Sequence, residues 1–179
     1  MTEILVATDL HGSLARAKDL AAAIGREKPA LFVFLGDLNY NGARNPLTEE
    51  YSPREVTALI KELDVPSVFV KGNCDSEVDE TVIDKPFPEY YSAVSGGKKI
   101  LFTHGHRINP DSPPDEHYDA VFYGHTHVNA VWRVGGVTFV NLSSLSLPKG
   151  GSEPAYAVIL DGFAFIKNLQ GNIIERIEL

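Results

Sequence analysis

Short aliphatic runs, each closed by a glycine or a polar motif, set the rhythm of this chain. Ile4–Ala7 and the stretch 31–35 are apolar throughout, and 67–70 is apolar after Ser67, the pattern of strands buried on both faces. After the first of them, Ala17, Leu20, Ala21 and Ile24 recur at helical spacing. They predict a helix from about Leu14 to Ile24, with Ser13 as its N-cap. A second helix is predicted from Ser52-Pro53-Arg54-Glu55, read as a capping box with proline at the first helical position. Val56, Leu59, Ile60 and Leu63 supply its buried stripe. Strands alternating with helices in this way imply a parallel sheet covered by helices.

The second half changes character. Residues 99–102 and Ala120–Tyr123 are again apolar strands, yet little between or after them reads as helix. Stretches 131–134 and 137–140 flank Gly135-Gly136, a two-residue hairpin signal. Ala155–Leu160, 163–167 and 173–177 follow, separated by Asp161-Gly162 and Gly171-Asn172. This half predicts an antiparallel-rich sheet. Together the halves predict an α/β fold of two sheets face to face with helices outside. Two stretches, 38–51 and 107–118, are irregular; both directly follow a polar motif and are predicted to wall an active site.

Composition narrows the function classes. At 179 residues the chain is expected to form one domain, 1–179, large enough for a sizeable core. No apolar run approaches the roughly 20 residues of a membrane helix, and the N-terminus enters a strand without a signal-peptide pattern. The single cysteine, Cys74, excludes an intramolecular disulfide framework, and the expectation is a cytoplasmic protein. A formal charge of −8 argues against extended nucleic acid as a partner, though a carboxylate cluster loaded with divalent cations would still attract small phosphates.

The chemistry lies in the motifs that close the strands. Asp9-Leu10-His11, Gly36-Asp37, Gly72-Asn73-Cys74-Asp75, His104-Gly105-His106 and His125-Thr126-His127 each follow an apolar run. In a parallel sheet the carboxyl ends share one edge, where α/β folds place their sites. If these segments are extended, positions i and i+2 face the same way, pairing Asp9 with His11 and His125 with His127. Any one motif alone reads as an ordinary turn. Five in succession, all offering imidazole or oxygen donors, point to a two-metal hydrolytic site.

The order Asp-x-His, Gly-Asp, Gly-Asn-x-Asp, His and Gly-His-x-His resembles the calcineurin-like metallophosphoesterases over nearly the whole chain. Residues 42–47, 72–77 and 148–151 resemble the small bacterial YfcE-type phosphodiesterases in particular. The resemblance implies a four-layer α/β/β/α sandwich of two mixed sheets with a dinuclear centre at the sheet edge. It further implies that Asp9, His11, Asp37 and His127 hold one metal, and that Asp37 bridges to a second completed by Asn73, His104 and His125. Spacing alone leaves His104 and His106 interchangeable; the family pattern makes His106 a hydrogen-bond partner outside the ligand set, and Asp75 likewise. Donors of this type suit Mn²⁺, Fe²⁺, Zn²⁺ or Co²⁺, with Mn²⁺ favoured.

The implied reaction is hydrolysis of small phosphodiesters by a hydroxide shared between two cations roughly 3.5–4 Å apart. Asp37, Asn73, Cys74 and Asp75 are the candidate catalytic residues. Many relatives carry histidine where this chain has Cys74. A thiol is a poor hydrogen-bond donor, so leaving groups that need a proton should suffer and diesters should outpace monoesters. Asn41, Arg44 and Lys149 are candidate substrate contacts, Arg44 as a bidentate phosphate ligand; His117 reads as loop surface. Two other functions compete: a phosphomonoesterase, and a non-catalytic scaffold like one eukaryotic branch of the family that has lost metal ligands. Relatives of this size often self-associate, so a homo-oligomer is expected, though no sequence feature marks an interface.

Overall fold

The computed structural model describes residues 3–179. The first half comprises β1 (Ile4–Ala7), α1 (Leu14–Glu27), β2 (Leu31–Phe34), α2 (Pro53–Lys61), β3 (Ser67–Phe69) and α3 (Glu77–Ile83). Then come β4 (Tyr90–Ser95), β5 (Lys98–Thr103), β6 (Ala120–Tyr123), β7 (Ala130–Val134) and β8 (Val137–Asn141). The chain closes with β9 (Ala155–Leu160), β10 (Phe163–Asn168) and β11 (Ile173–Glu178). One sheet has the order β11-β10-β9-β1-β2-β3 and the other β4-β5-β6-β8-β7. Both are mixed: β1, β2 and β3 run parallel while β9 is antiparallel to β1, and β5, β6 and β8 run parallel between antiparallel β4 and β7.

Alternation along the buried strands builds two cores from one set of residues. Leu5, Ala7, Phe32, Phe34 and Phe69 point towards the helices, against Leu20, Ile24, Val56, Ile60 and Ile83. Ile4, Val6, Val33, Leu35 and Val70 point the other way, against Ile100, Phe102, Phe122 and Val140 of the facing sheet. This is why those runs are almost wholly apolar. Each fully buried Phe or Leu contributes about 1.5–3 kcal/mol, so the strand ends that carry the site rest on a stiff base.

The two outer faces of the sandwich are covered differently. All three described helices pack on the first sheet. The outer face of the second sheet instead carries Ile108 and Tyr118 of the irregular connection, lying on Leu101, Val121, Tyr123 and Phe139. Pro110, Pro113 and Pro114 in that connection remove the backbone donors a helix would need.

Local departures have equally plain causes. α1 continues to Glu27, beyond the expected Ile24, because the left-handed terminating turn is taken by Lys28 rather than Gly25. The capping box expected at Ser52 is absent: the Ser52 N–H that Glu55 would accept donates to the Gly12 carbonyl at 2.8 Å. A capping box does form at Ser76 and Asp79, opening α3, a helix that periodicity did not reveal because it spans only seven residues. β4 was also missed; only one edge pairs and its residues alternate between exposed and half-buried.

Candidate metal centre

The carboxyl ends of the parallel strands in both sheets converge on one edge of the sandwich. Asp9, Asp37 and Asn73 come from the loops after β1, β2 and β3. His104 follows β5, and His125 and His127 follow β6. The ligands reach this edge through kinks rather than extended backbone. Asp9, His11, Asp37, His125 and His127 all have positive φ, between 49° and 67°. The i, i+2 pairing argument therefore fails in detail, although Asp9 and His11 still meet. A left-handed non-glycine residue costs of order 1 kcal/mol, and five at one site mark imposed geometry.

The first two kinks are held by a neighbouring backbone, the Asp9 amide donating to the Gly36 carbonyl at 3.0 Å. The amides of Leu10 and His11 both donate to the Asp37 carbonyl at 3.0 Å. Gly72 lies against Asp37, and a Cβ there would collide with the Asp37 side chain; one at Gly124 would strike Thr8 and Asp9. Asp75 accepts from the amides of Asp37, Leu38 and Gly72 at 2.8, 2.9 and 2.8 Å, clasping the two loops together.

The imidazoles are oriented in the same deliberate way. Nδ1 of His11, His104 and His127 donates to the carbonyls of Tyr40, Leu35 and Leu147, at 2.8, 2.8 and 2.7 Å. A carbonyl only accepts, so Nδ1 carries the proton and each Nε2 presents a lone pair inward. His11 Nε2 and His127 Nε2 stand 3.2 Å apart. Asp9 Oδ1 lies 3.5 and 3.2 Å from them, buried and without a hydrogen-bond donor. His104 Nε2 faces Asn73 Oδ1 at 3.0 Å and Asp37 Oδ2 at 3.5 Å, and Asp37 Oδ2 is also 3.8 Å from His11 Nε2. Acceptors crowd two adjacent points with Asp37 between them. Buried lone pairs facing each other need a cation.

Electrostatics agree. Burial opposes charge on Asp9, yet His104, His11 and His127 hold its carboxyl well below the usual range. Asp37 is lowered, with His104 outweighing burial. Reciprocally, burial disfavours charge on His104, but Asp9 and Asp37 raise it to about 9. The cluster demands positive charge, from protons or from a metal.

The comparisons with known proteins decide the family. The model of the calcineurin-like phosphoesterase superfamily domain matches residues 2–161. The chain belongs to that superfamily. It is 34% identical over 161 residues to phosphodiesterase YfcE of Escherichia coli K12, covering 89% of this chain and 88% of that protein. The E. coli Yfce phosphoesterase structure superposes with a TM-score of 0.91 at 29% identity, covering 98% of each chain. Vps29 from Chaetomium thermophilum shares the fold, with a TM-score of 0.64 at 16% identity over 97% of this chain and 96% of that one. This calcineurin-like chain is thus a phosphoric ester hydrolase that uses divalent metal ions.

A cleft of about 770 Å³ opens over the cluster, lined among others by His11, Asp37, Tyr40, Arg44, Asn73, Cys74, His125, His127 and Lys149. His125 stands at its rim, half-buried, its ring centroid 5.1 Å from that of His104. Arg44 and Lys149 are exposed there, and neither joins an ion pair among the described residues. Asn41 does not reach the cleft. It is buried, and its amide donates to the carbonyls of Asn45 and Pro46 while Asn45 Nδ2 returns a bond to the Asn41 carbonyl at 2.7 Å.

His106 is not the hydrogen-bond partner expected of it. Its Nδ1 is buried without a partner, and its ring meets those of His104 and His125 at 5.3 and 6.2 Å between centroids. The Nδ1 proton of His104 is committed to the Leu35 carbonyl and its Nε2 faces Asn73 Oδ1, so neither nitrogen is turned to His106. Cys74 lines the cleft as a thiol: burial and the carboxylate of Asp37 push it up to about 12, and Asn73 Nδ2 donates to its sulfur at 3.3 Å.

Sequence reasoning overlooked the residues that steady Asp9. Buried Thr8 donates from Oγ1 to Asp9 Oδ2 at 2.6 Å, and the His125 N–H donates to the same oxygen at 3.0 Å. Ser144 and Ser146 donate to the Asp9 carbonyl at 2.6 and 3.2 Å. The run Ser143-Ser144-Leu145-Ser146 after an apolar strand was the available signal, but serine there reads equally as a turn.

Proposed function

We propose that this enzyme is a phosphodiesterase for small phosphodiesters, working at a dinuclear centre. The supporting observation is the pair of adjacent acceptor clusters, His11–Asp9–His127 and His104–Asn73, with Asp37 between them. Asp9, His11, Asp37 and His127 would hold one cation, and Asp37, Asn73, His104 and His125 the other. Bound there, divalent cations supply Lewis acidity and an activated water. Their all-nitrogen-and-oxygen donor set makes Mn²⁺ the first choice over Fe²⁺, Zn²⁺ and Co²⁺.

The chain's own residues explain the diester preference. Arg44 and Lys149, free of carboxylate partners, offer charge to the phosphoryl oxygens that gain it in the transition state. Cys74, protonated throughout the physiological range but a weak donor, gives little help to a departing alkoxide. Good leaving groups need none. A scaffold without catalysis would have no use for buried, unpaired Asp9 Oδ1 and three inward lone pairs.

The test uses metal-stripped protein with Mn²⁺ restored, comparing bis-p-nitrophenyl phosphate with p-nitrophenyl phosphate. Metal-dependent turnover of the diester, faster than of the monoester and abolished in Asp37→Asn, is the expected result. Faster monoester turnover would make the enzyme a phosphomonoesterase. No turnover of either with any of the four metals would favour the scaffold.

A further inference from the structure

The cleft is far larger than a phosphoryl group requires. Volumes of about 300–1,000 Å³ accommodate whole drug-sized ligands, and this one reaches about 770 Å³. The bound molecule therefore has room for a substantial arm beside the phosphate. What contacts that arm is set in large part by the segment Tyr40–Pro46, which contributes Tyr40, Ala43 and Pro46 along with Arg44.

Tyr40 stands out in that segment. It is 49% exposed, and of the exposed large aromatics Tyr40, Tyr90 and Trp132 it alone lines this cleft. Its hydroxyl has no hydrogen-bond partner among the described residues. Its backbone, by contrast, is tied down: the Tyr40 carbonyl accepts from Nδ1 of His11, whose Nε2 faces the cation cluster. The segment that follows is clasped by the reciprocal Asn41 and Asn45 bonds. An amphipathic ring is thus left open to solvent while its main chain is locked to a metal ligand. A surface loop that merely needed a turn would have no reason to hold an exposed aromatic in register with the site.

We infer that Tyr40 is a stacking platform for an aromatic arm of nucleobase type on the phosphoester, making it a specificity-determining residue of the cleft. The inference rests on the phosphodiesterase reading for its reaction, but the binding it describes can be measured alone. A planar base has a π-face to lay on the ring, and such stacking is sequence-tolerant, so purines and pyrimidines both qualify. Arg44 and Lys149 then meet the phosphate that the arm carries, and the apolar edges of Ala43 and Pro46 extend the platform. Removing the aromatic face should cost about 10-fold in affinity for a base-bearing ligand.

The experiment is calorimetric titration of the Mn²⁺-loaded protein with adenosine 5′-monophosphate and with ribose 5-phosphate, which share the sugar phosphate and differ by the base. Wild type should favour the nucleotide by about 10-fold. Tyr40→Phe should keep that preference and Tyr40→Ala should erase it. Equal affinities in the wild type, a preference that survives in Tyr40→Ala, or no binding of either ligand would each overturn the inference. Absence of bis-p-nitrophenyl phosphate turnover, with the nucleotide preference intact, would instead strike the phosphodiesterase reading and leave the platform standing.

Discussion

Thr8→Val tests whether the hidden scaffold around Asp9 matters as much as the ligands. Thr8 is fully buried, and valine has nearly its volume, so the substitution chiefly removes the hydroxyl. What disappears is one hydrogen bond, from Thr8 Oγ1 to Asp9 Oδ2 at 2.6 Å. A bond to a charged acceptor is worth about 1.5–3 kcal/mol. Asp9 Oδ2 keeps a second donor, the His125 N–H, so the lower figure of about 1.5 kcal/mol applies. That corresponds to roughly 10-fold weaker binding of the cation proposed to sit on Asp9, within the range for residues that orient metal ligands. The loss should also let Asp9 protonate more readily, so that cation binding fails at a higher pH than in the wild type. Calorimetric titration of metal-stripped protein with Mn²⁺ at neutral pH measures the first effect, and repeating it in mild acid measures the second. Thr8→Ser, which restores the hydroxyl, should recover most of the affinity. An affinity for Thr8→Val within about twofold of the wild type would refute the view that this bond orients the ligand.

Two further outcomes follow from the same geometry. Cys74→His places a competent proton donor in the cleft and should lower the diester-to-monoester rate ratio on p-nitrophenyl substrates; an unchanged ratio would dissociate the thiol from leaving-group departure. Away from the site, the largely buried Glu27 carboxylate accepts from Lys167 Nζ at 2.9 Å and Tyr156 OH at 2.7 Å. Burial opposes its charge, yet Lys167 and Tyr156 hold its pKa below the ordinary value. A folded pKa below the unfolded one, ~4.3, means the stabilisation is complete above that value and disappears as pH falls through the folded one. Glu27→Gln should therefore cost about 2 kcal/mol in urea unfolding at neutral pH and much less in strong acid, whereas an equal cost at both would contradict the assignment.

Much of the molecule could be read from local pattern because the governing physics is local. Uniformly apolar runs such as Ile4–Ala7 and Ala120–Tyr123 can be satisfied only by strands buried on both faces, and they form strands with those bounds. Gly135-Gly136 makes the expected hairpin turn because both residues take positive φ without a side-chain clash. The motifs that close the strands placed the candidate metal-binding groups, because His, Asp and Asn beside glycine recur at successive strand ends and those ends meet at one edge. Helix α3 escaped because seven residues hold too little periodicity, and β4 because its outward positions carry Tyr90 and Val94, so its hydrophobic pattern does not follow its burial.

Other features came into being only when distant segments met. No spacing rule predicts that Thr8 and the His125 amide would steady the Asp9 carboxylate while Ser144 holds its main-chain carbonyl, because those contacts join residues up to 135 positions apart. The left-handed kinks at Asp9, His11, Asp37, His125 and His127 cost energy locally, and neighbouring segments bind the amides of the first four. His106 and Asn41 carry the same chemical groups as their neighbours, and only packing aimed one between two other rings and turned the other into its own loop. The amino-acid order determined which groups were available and which strand ends would present them. The tertiary structure decided which lone pairs face one another, because that depends on backbone strain and long-range hydrogen bonds that no short window of sequence contains.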